Sequence, residues 1–269
     1  MTAPSRITSR QNPHVKEAVC LRDGHERRRQ RRFIVEGVRE ISRAIESGVV
    51  PICAFVCEEF CTSAECIQVN EALTVTSAEI FQVTPEVYAK LAFGDRHEGI
   101  IVVAATARRG LSDLRLPDKP LIAVLEGVEK PGNVGAILRS ADAAGVDAVI
   151  IADGGTDLYN PNTIRASLGT VFRQNVCEAS SADTLAWVRE HGISIVATRP
   201  DAKLLYTAAD LRGGVAIILG SEATGLSEGW TGAGTTAVRL PMHGLADSLN
   251  VATTAAVLFY EAVRQRSQI

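Results

Sequence analysis

The chain has 269 residues, of which 46% are apolar, 22% charged and 5% aromatic, and its formal net charge is −3. That length suits one large domain or two smaller ones, and the apolar share excludes wholesale disorder. Its uncharged apolar runs, such as residues 99–105 and 214–220, fall far short of the roughly 20 residues of a membrane-spanning helix.

Residues 1–16 are polar and lack a hydrophobic segment, so no secretory signal is expected and the cytoplasm is the expected location. Residues 1–40 carry ten Lys/Arg against five acids, which leaves the remainder at −8. Arg22, Arg27, Arg28, Arg29, Arg31 and Arg32 crowd into eleven positions. Clustered guanidinium groups suit phosphate contacts, although a solvated helix face has the same composition. No Trp/Phe/Leu face accompanies them, so this basic arm points to nucleic acid rather than to a membrane.

After the basic helical entry, residues 33–35 read as a short strand and 38–46 as a helix closed by Gly48. Strands are expected at 52–57, 73–76 and 100–104, and helical pieces at 78–81 and 85–93, giving a small α/β domain over 1–107. Cys53, Cys57 and Cys61 are spaced by four, which is neither a zinc nor an iron–sulfur pattern. The six cysteines read as small apolar core thiols, with no metal site and, for a cytosolic protein, no disulfide. Residues 108–120, with no sustained period, read as a linker.

From 121 to 269 strands and helices alternate. Short β-branched runs at 121–125, 148–152, 193–197, 215–219 and 237–240 imply a largely parallel sheet covered by helices. Helices are expected at 134–144, 161–168, 182–191 and 251–265. Parallel sheets bind ligands at the carboxyl ends of their strands, and three loops rich in Gly and polar residues fall there, at 126–135, 220–225 and 241–250. Neither a Walker A pattern nor GxGxxG is present, and the histidines lack paired ligand spacing. That disfavours common nucleotide-phosphate binding, a dinucleotide-dependent oxidoreductase and a metalloenzyme.

The three loops carry Asn133-x-Gly135-x-x-x-Arg139-Ser140-Ala141, then Leu219-Gly220-x-Glu222-x-x-Gly225-Leu226, then Leu240-Pro241-Met242 with Ser248-Leu249-Asn250-Val251. In this order they resemble the SpoU-type (TrmH-like) RNA 2′-O-ribose methyltransferases of the SPOUT superfamily, as does the segment from Arg165 to Thr170. Asn12-Pro13, the basic helix and Phe33-Ile-Val-Glu-Gly37 resemble that family's auxiliary RNA-binding domain, which is similar to ribosomal protein L30e. Many members have Asp-Pro where this chain has Lys130-Pro131, and Glu before Ser-Leu-Asn where it has Asp247.

The resemblance implies an α/β fold: a parallel-sheet domain with a C-terminal trefoil knot, a homodimer, and S-adenosylmethionine as cofactor. It implies a cofactor pocket of Thr198, Gly220, Leu240, Met242 and Leu249. Asn133, Arg139, Glu222, Ser248 and Asn250 become the expected catalytic residues, and Arg27, Arg28, Arg29, Arg31, Arg32 and Arg165 the expected RNA contacts. Ribosomal RNA is the expected substrate, with transfer RNA or a non-catalytic RNA-binding role as alternatives.

Each of these residues has a plainer reading. Asn133 could cap the helix expected from 134, and Ser248 and Asn250 could cap the last helix. Glu222 could solvate a loop. Family members are thought to use the arginine matching Arg139 as a base, whereas a guanidinium pKa above about 12 favours a phosphate clamp. Asn133 and Arg139 lie about 240° apart around a helix, so either the loop bends or Arg139 serves a neighbouring subunit.

Overall fold

The computed structural model describes residues 5–94, 97–107, 109–173, 175–232 and 234–267; Arg108, the expected start of the linker, lies outside them. By packing, the chain divides into two units, Met1–Ala107 with Asp157–Phe172, and Arg108–Thr156 with Arg173–Ile269.

The first unit contains β1 (Ser5–Ile7), α1 (Pro13–Cys20), α2 (Gly24–Gln30), β2 (Arg32–Glu36), α3 (Val38–Glu46), β3 (Pro51–Val56), α4 (Ala64–Thr74), β4 (Glu79–Val83), α5 (Pro85–Leu91) and β5 (Ile100–Ala105). Its sheet has the order β1-β4-β3-β5-β2, with β5 antiparallel to both neighbours. One face buries Ile34, Phe55, Phe81 and Ile101 against Val15 and Leu21 of the α1 region and Val87, Tyr88 and Leu91 of α5.

Three expectations fail here. Residues 73–76 are the end of α4 and its exit, not a strand, and 78–81 are the entry and first residues of β4, not a helix. The Ser63 hydroxyl accepts from the Cys66 N–H at 3.1 Å and starts a helix that runs through the β-branched residues beyond it. The cysteines are not all core thiols either: Cys20 is exposed, and Cys61 and Cys66, with Cα atoms 5.5 Å apart, form a disulfide. That spacing lies within the usual range for a bridge. Cys57 and Cys177 are buried, and burial pushes the Cys177 thiol up to about 12.

The second unit begins with a 3-10 turn at Leu111–Asp113 and the buried Leu114. Asn175 fastens this stretch by donating to the Arg115 carbonyl at 2.8 Å. Then follow β6 (Leu121–Glu126), α6 (Pro131–Ala143) and β7 (Ala148–Ala152). Next in the chain is α7 (Pro161–Ser167), which packs with the first unit, contrary to the sequence assignment. The reason lies in its flanks: Phe33 stacks on Tyr159 at 4.4 Å and on Phe172 at 5.7 Å, and Arg27 pairs with Asp157 at 2.7 Å.

The chain returns through β8 (Val176–Ala179), α8 (Ser181–Glu190), β9 (Ser194–Thr198), β10 (Leu204–Leu205), β11 (Val215–Leu219), β12 (Thr235–Arg239) and α9 (Val251–Arg266). The sheet order is β10-β12-β9-β11-β6-β7-β8, and every pairing is parallel. Ile122, Val124, Ile150, Ile195 and Ile218 face a core with Val188 of α8 and Trp230. By alternation the intervening residues face the other side, where α6 and α9 pack on one another. A sheet buried on both faces needs the near-continuous apolar strands seen in the sequence.

Candidate active site

The carboxyl ends of β9, β11 and β12, the loop of residues 240–250 and the first turns of α9 enclose a solvent-open cleft with an empty volume of about 850 Å³. Thr198, Gly220, Leu240, Met242 and Leu249 all line it, as do Glu222 and Ser248. The Thr198 hydroxyl donates to the Ile218 carbonyl at 2.9 Å, tying the ends of two parallel strands.

Gly220 is irreplaceable for a local reason. A Cβ there would lie 2.6 Å from the Gly225 carbonyl carbon and 2.7 Å from the Leu226 nitrogen. The backbone has folded back on itself, with the Gly225 N–H on the Ser221 carbonyl at 3.0 Å and Gly225 at φ +70°, a conformation glycine adopts without steric cost. The hairpin this creates presents Glu222.

Around Glu222 the starts of α6 and α9 meet the hairpin. Asn133 Nδ2 donates to Glu222 Oε1 at 2.9 Å and Asn250 Nδ2 donates to the same oxygen at 2.8 Å. Lys130 Nζ pairs with Glu222 Oε2. Asn250 Nδ2 also approaches Asn133 Oδ1 at 3.3 Å. The Lys130 ammonium, ahead of the Asn133 amide and the Val251 N–H, holds the Glu222 carboxyl below its ordinary range.

Asn133 is not a cap. The helix starts earlier than its apolar pattern suggests, with Lys130 at the cap position and Pro131 in the first turn, where proline's fixed φ and missing N–H are tolerated. Asn133 therefore lies inside the first turn, with its amide turned to Glu222. Asn250 does cap a helix, since its Oδ1 accepts from the Ala252 N–H at 2.9 Å at the start of α9, while its NH2 faces Glu222.

Arg139 stands apart. It is exposed on α6, does not line the cleft and sits on the same unbroken helix as Asn133, so no bend brings the two together. Lys130 escaped the sequence reading except as a departure from the common Asp-Pro; a charged residue three before Asn133 was the available signal. Glu126, at the end of β6, was also missed. Its buried carboxylate accepts from the Ser227 N–H, the Ser227 hydroxyl and Trp230 Nε1, each at 2.7 Å, which pins the chain just beyond the Gly220–Gly225 hairpin.

In the first unit the basic arm divides. Arg27 is 2% exposed and donates to the Leu21 and Arg22 carbonyls as well as to Asp157. Arg28, Arg29 and Arg31 are exposed, Arg29 bound to Glu26, and Arg32 is half-buried in β2. Arg165, exposed on α7, borders a small recess with Ile34 and Phe93.

The sequence model of the SpoU rRNA Methylase family matches residues 120–260. This chain belongs to that family. The front of this SpoU-family protein, residues 12–102, matches an MRM3-like substrate binding domain. It is 32% identical to a 23S rRNA (uridine(2479)-2′-O)-methyltransferase of Streptomyces viridochromogenes over 98% of this chain and 93% of the relative. A solved RNA 2′-O ribose methyltransferase is 45% identical, with a TM-score of 0.85 over 97% of this chain and 99% of that one. The SpoU methyltransferase AviRb of Streptomyces viridochromogenes, solved in complex with AdoMet, superposes with a TM-score of 0.86 at 28% identity, covering 96% and 99% of the two chains. Among the described residues, no group of three or more His, Cys, Asp or Glu could hold a metal ion, and no helix is long and apolar enough to cross a membrane.

Proposed function

We infer that this SpoU-family chain is an S-adenosylmethionine-dependent RNA (ribose-2′-O)-methyltransferase acting on ribosomal RNA. The observation that carries this reading is the meeting of Asn133, from the first turn of α6, and Asn250, from the start of α9, on Glu222, which lines the cleft. The similar proteins named as 23S rRNA 2′-O-methyltransferases support ribosomal over transfer RNA.

The cleft fits the cofactor on its own evidence. It is concave and opens at the carboxyl ends of parallel strands, where such folds bind ligands, Leu240, Met242 and Leu249 supply apolar walls, and Gly220 leaves the backbone bare. Those residues and Thr198 would hold the adenosyl group. Bound there, S-adenosylmethionine supplies a sulfonium methyl already activated for transfer.

The chain's own task is then alignment, and holding two reactants in attack geometry can supply about 7–11 kcal/mol of a barrier. Asn250 commits its oxygen to the helix cap and its NH2 to Glu222, and Asn133 commits its NH2 to Glu222. Asn133 Oδ1 keeps a lone pair, and we assign it to the ribose hydroxyl. Ser248, on the cleft wall, offers a second hydroxyl partner.

Arg139 is a phosphate clamp in this scheme. Its distance from the cleft suits delivery to the partner's site in a homodimer. The knotted path of residues 240–250, the cytoplasmic location and RNA capture by the first unit, through Arg28, Arg29, Arg31 and Arg32 of residues 1–107 and Arg165 of α7, belong to the same proposal. The domain match over 12–102 supports that division of labour.

Incubating the protein with methyl-labelled S-adenosylmethionine and separate ribosomal and transfer RNA pools tests this. Label is expected in ribosomal RNA, at one nucleotide resistant to alkaline cleavage. Label confined to transfer RNA would replace the substrate, and a folded protein that labels neither pool would leave only an RNA-binding role.

A further inference from the structure

Glu222 accepts at both carboxylate oxygens, but its partners differ in kind: two neutral amides on Oε1 and one ammonium on Oε2. A bare carboxylate at the mouth of an RNA site would repel phosphate and would be free to turn away from the two amides. We propose that Lys130 is a positioning residue for the transfer: it holds and neutralises Glu222, and through it fixes the orientations of Asn133 and Asn250. The proposal rests on the methyltransferase reading above.

The geometry supports this over a stabilising role. The side chains of Lys130 and Glu222 are 72% and 31% exposed, and an exposed ion pair adds little to stability. Lys130 ends at a single acceptor, while its backbone is set by Pro131 at the start of α6. Its ammonium is thus delivered from a rigid helix start to Glu222 Oε2, the oxygen that Asn133 and Asn250 leave free. Other charged groups line the cleft: Arg199, Arg239 and Asp247. Arg199 is occupied by Asp201 at 3.0 Å, and Lys130 is the cation in contact with Glu222 among the described residues.

With Lys130 removed, the amides still donate to Oε1, but Oε2 loses its anchor and the carboxylate its countercharge. The carboxyl then protonates at higher pH, since a cation nearby favours the charged form. A Glu222 protonated on the freed Oε2 accepts less strongly at Oε1, and the ionised carboxylate without its anchor is free to turn, so Asn133 and Asn250 lose a fixed shared acceptor.

The test compares wild type with Lys130→Met, Lys130→Arg, Glu222→Gln and the Lys130→Met/Glu222→Gln pair. In the free protein, the 13C-carboxyl resonance of Glu222, assigned by its loss in Glu222→Gln, is expected to titrate at higher pH in Lys130→Met and to return toward wild type in Lys130→Arg. The acid limb of kcat/KM is expected to move in the same direction. Misplacement of this kind should lower kcat by about tenfold to a hundredfold, with KM for RNA and the melting temperature nearly unchanged. The pair should be no slower than Glu222→Gln alone, because Lys130 acts through Glu222.

An unmoved Glu222 titration in Lys130→Met would overturn the proposal. So would a loss confined to KM for RNA with a shallower salt dependence, which would make Lys130 a direct phosphate contact. A wild type that transfers no methyl would overturn the methyltransferase reading alone, because the resonance titration reads the grip of Lys130 on Glu222 without substrate.

Discussion

Arg27 and Arg28 are adjacent in α2, yet one is sealed in the interior and the other lies in solvent. Their composition is identical and their physics is not. Arg27 turns its guanidinium inward onto two carbonyls and the Asp157 carboxylate, so its charge is already paired and, at 2% exposure, out of reach of a phosphate. Removing one partner of a buried pair costs about 3–5 kcal/mol. Arg27→Ala is therefore expected to lower the denaturation midpoint while leaving the salt dependence of RNA binding intact. Arg28→Ala with Arg31→Ala should do the reverse, reducing the slope of log affinity against log salt by roughly 0.7–0.9 for each phosphate that is no longer neutralised. Equal salt slopes in wild type and the double variant would remove this arm from RNA binding. The sequence carried the cluster of charge but not this split, because burial of an arginine depends on Asp157, 130 residues away.

At the scale of elements, α9 joins stability to the site through its cap. Asn250 Oδ1 receives the Ala252 N–H while its NH2 faces Glu222, so one residue starts the helix and completes the polar cluster. Two substitutions separate these duties. Asn250→Ala loses both, and an N-cap alone is worth about 1 kcal/mol. Asn250→Asp keeps a good capping oxygen but sets a second carboxylate against Glu222. One of the two then holds its proton to higher pH, and the folded state binds more protons than the unfolded one. The stability of Asn250→Asp relative to wild type is accordingly expected to be best in acid and to fall as pH rises, with activity lost at neutral pH; pH-dependent urea midpoints check the sign. Elements with strong periodicity or sharp punctuation were legible in the sequence: α3 between Gly37 and Gly48, and the buried runs of β7 and β11, stand where their residues put them. The α4 and β4 region was not, since a helix ending in Leu73-Thr74 carries β-branched residues into its exit and β4 alternates too weakly to announce itself. In the site, Asn133, Glu222 and Asn250 were legible as motifs, whereas the Lys130 contact needed the hairpin of residues 220–225 to bring Glu222 back across the fold.

At the scale of the molecule, the chain does not partition by sequence order. Periodicity reports which residues face a core but not whose core, so α7 read naturally as one more helix of the parallel-sheet unit. Its partners are instead β2 and α3: Arg43 donates to the Leu168 carbonyl at 2.7 Å, and Phe33, fully buried, stacks with both Tyr159 and Phe172. A fragment of residues 1–107 would strip both of these rings from Phe33 and leave Arg27 without Asp157. The loss of that buried ion pair alone is about 3–5 kcal/mol, against a total of roughly 5–15 kcal/mol for a domain. The Tyr159 hydroxyl donates to the Ala107 carbonyl at 2.6 Å, so the end of the first segment already lies beside the second and a short Gly/Ser linker can join them. The fragment 1–107 is expected to unfold at much lower urea than the same fragment extended by residues 157–172, with near-ultraviolet circular dichroism from the stacked rings recovered only in the extended form. Coincident transitions for the two would mean that Phe33 and Arg27 find adequate partners within 1–107, and that the returning segment is a passenger rather than part of this unit's core.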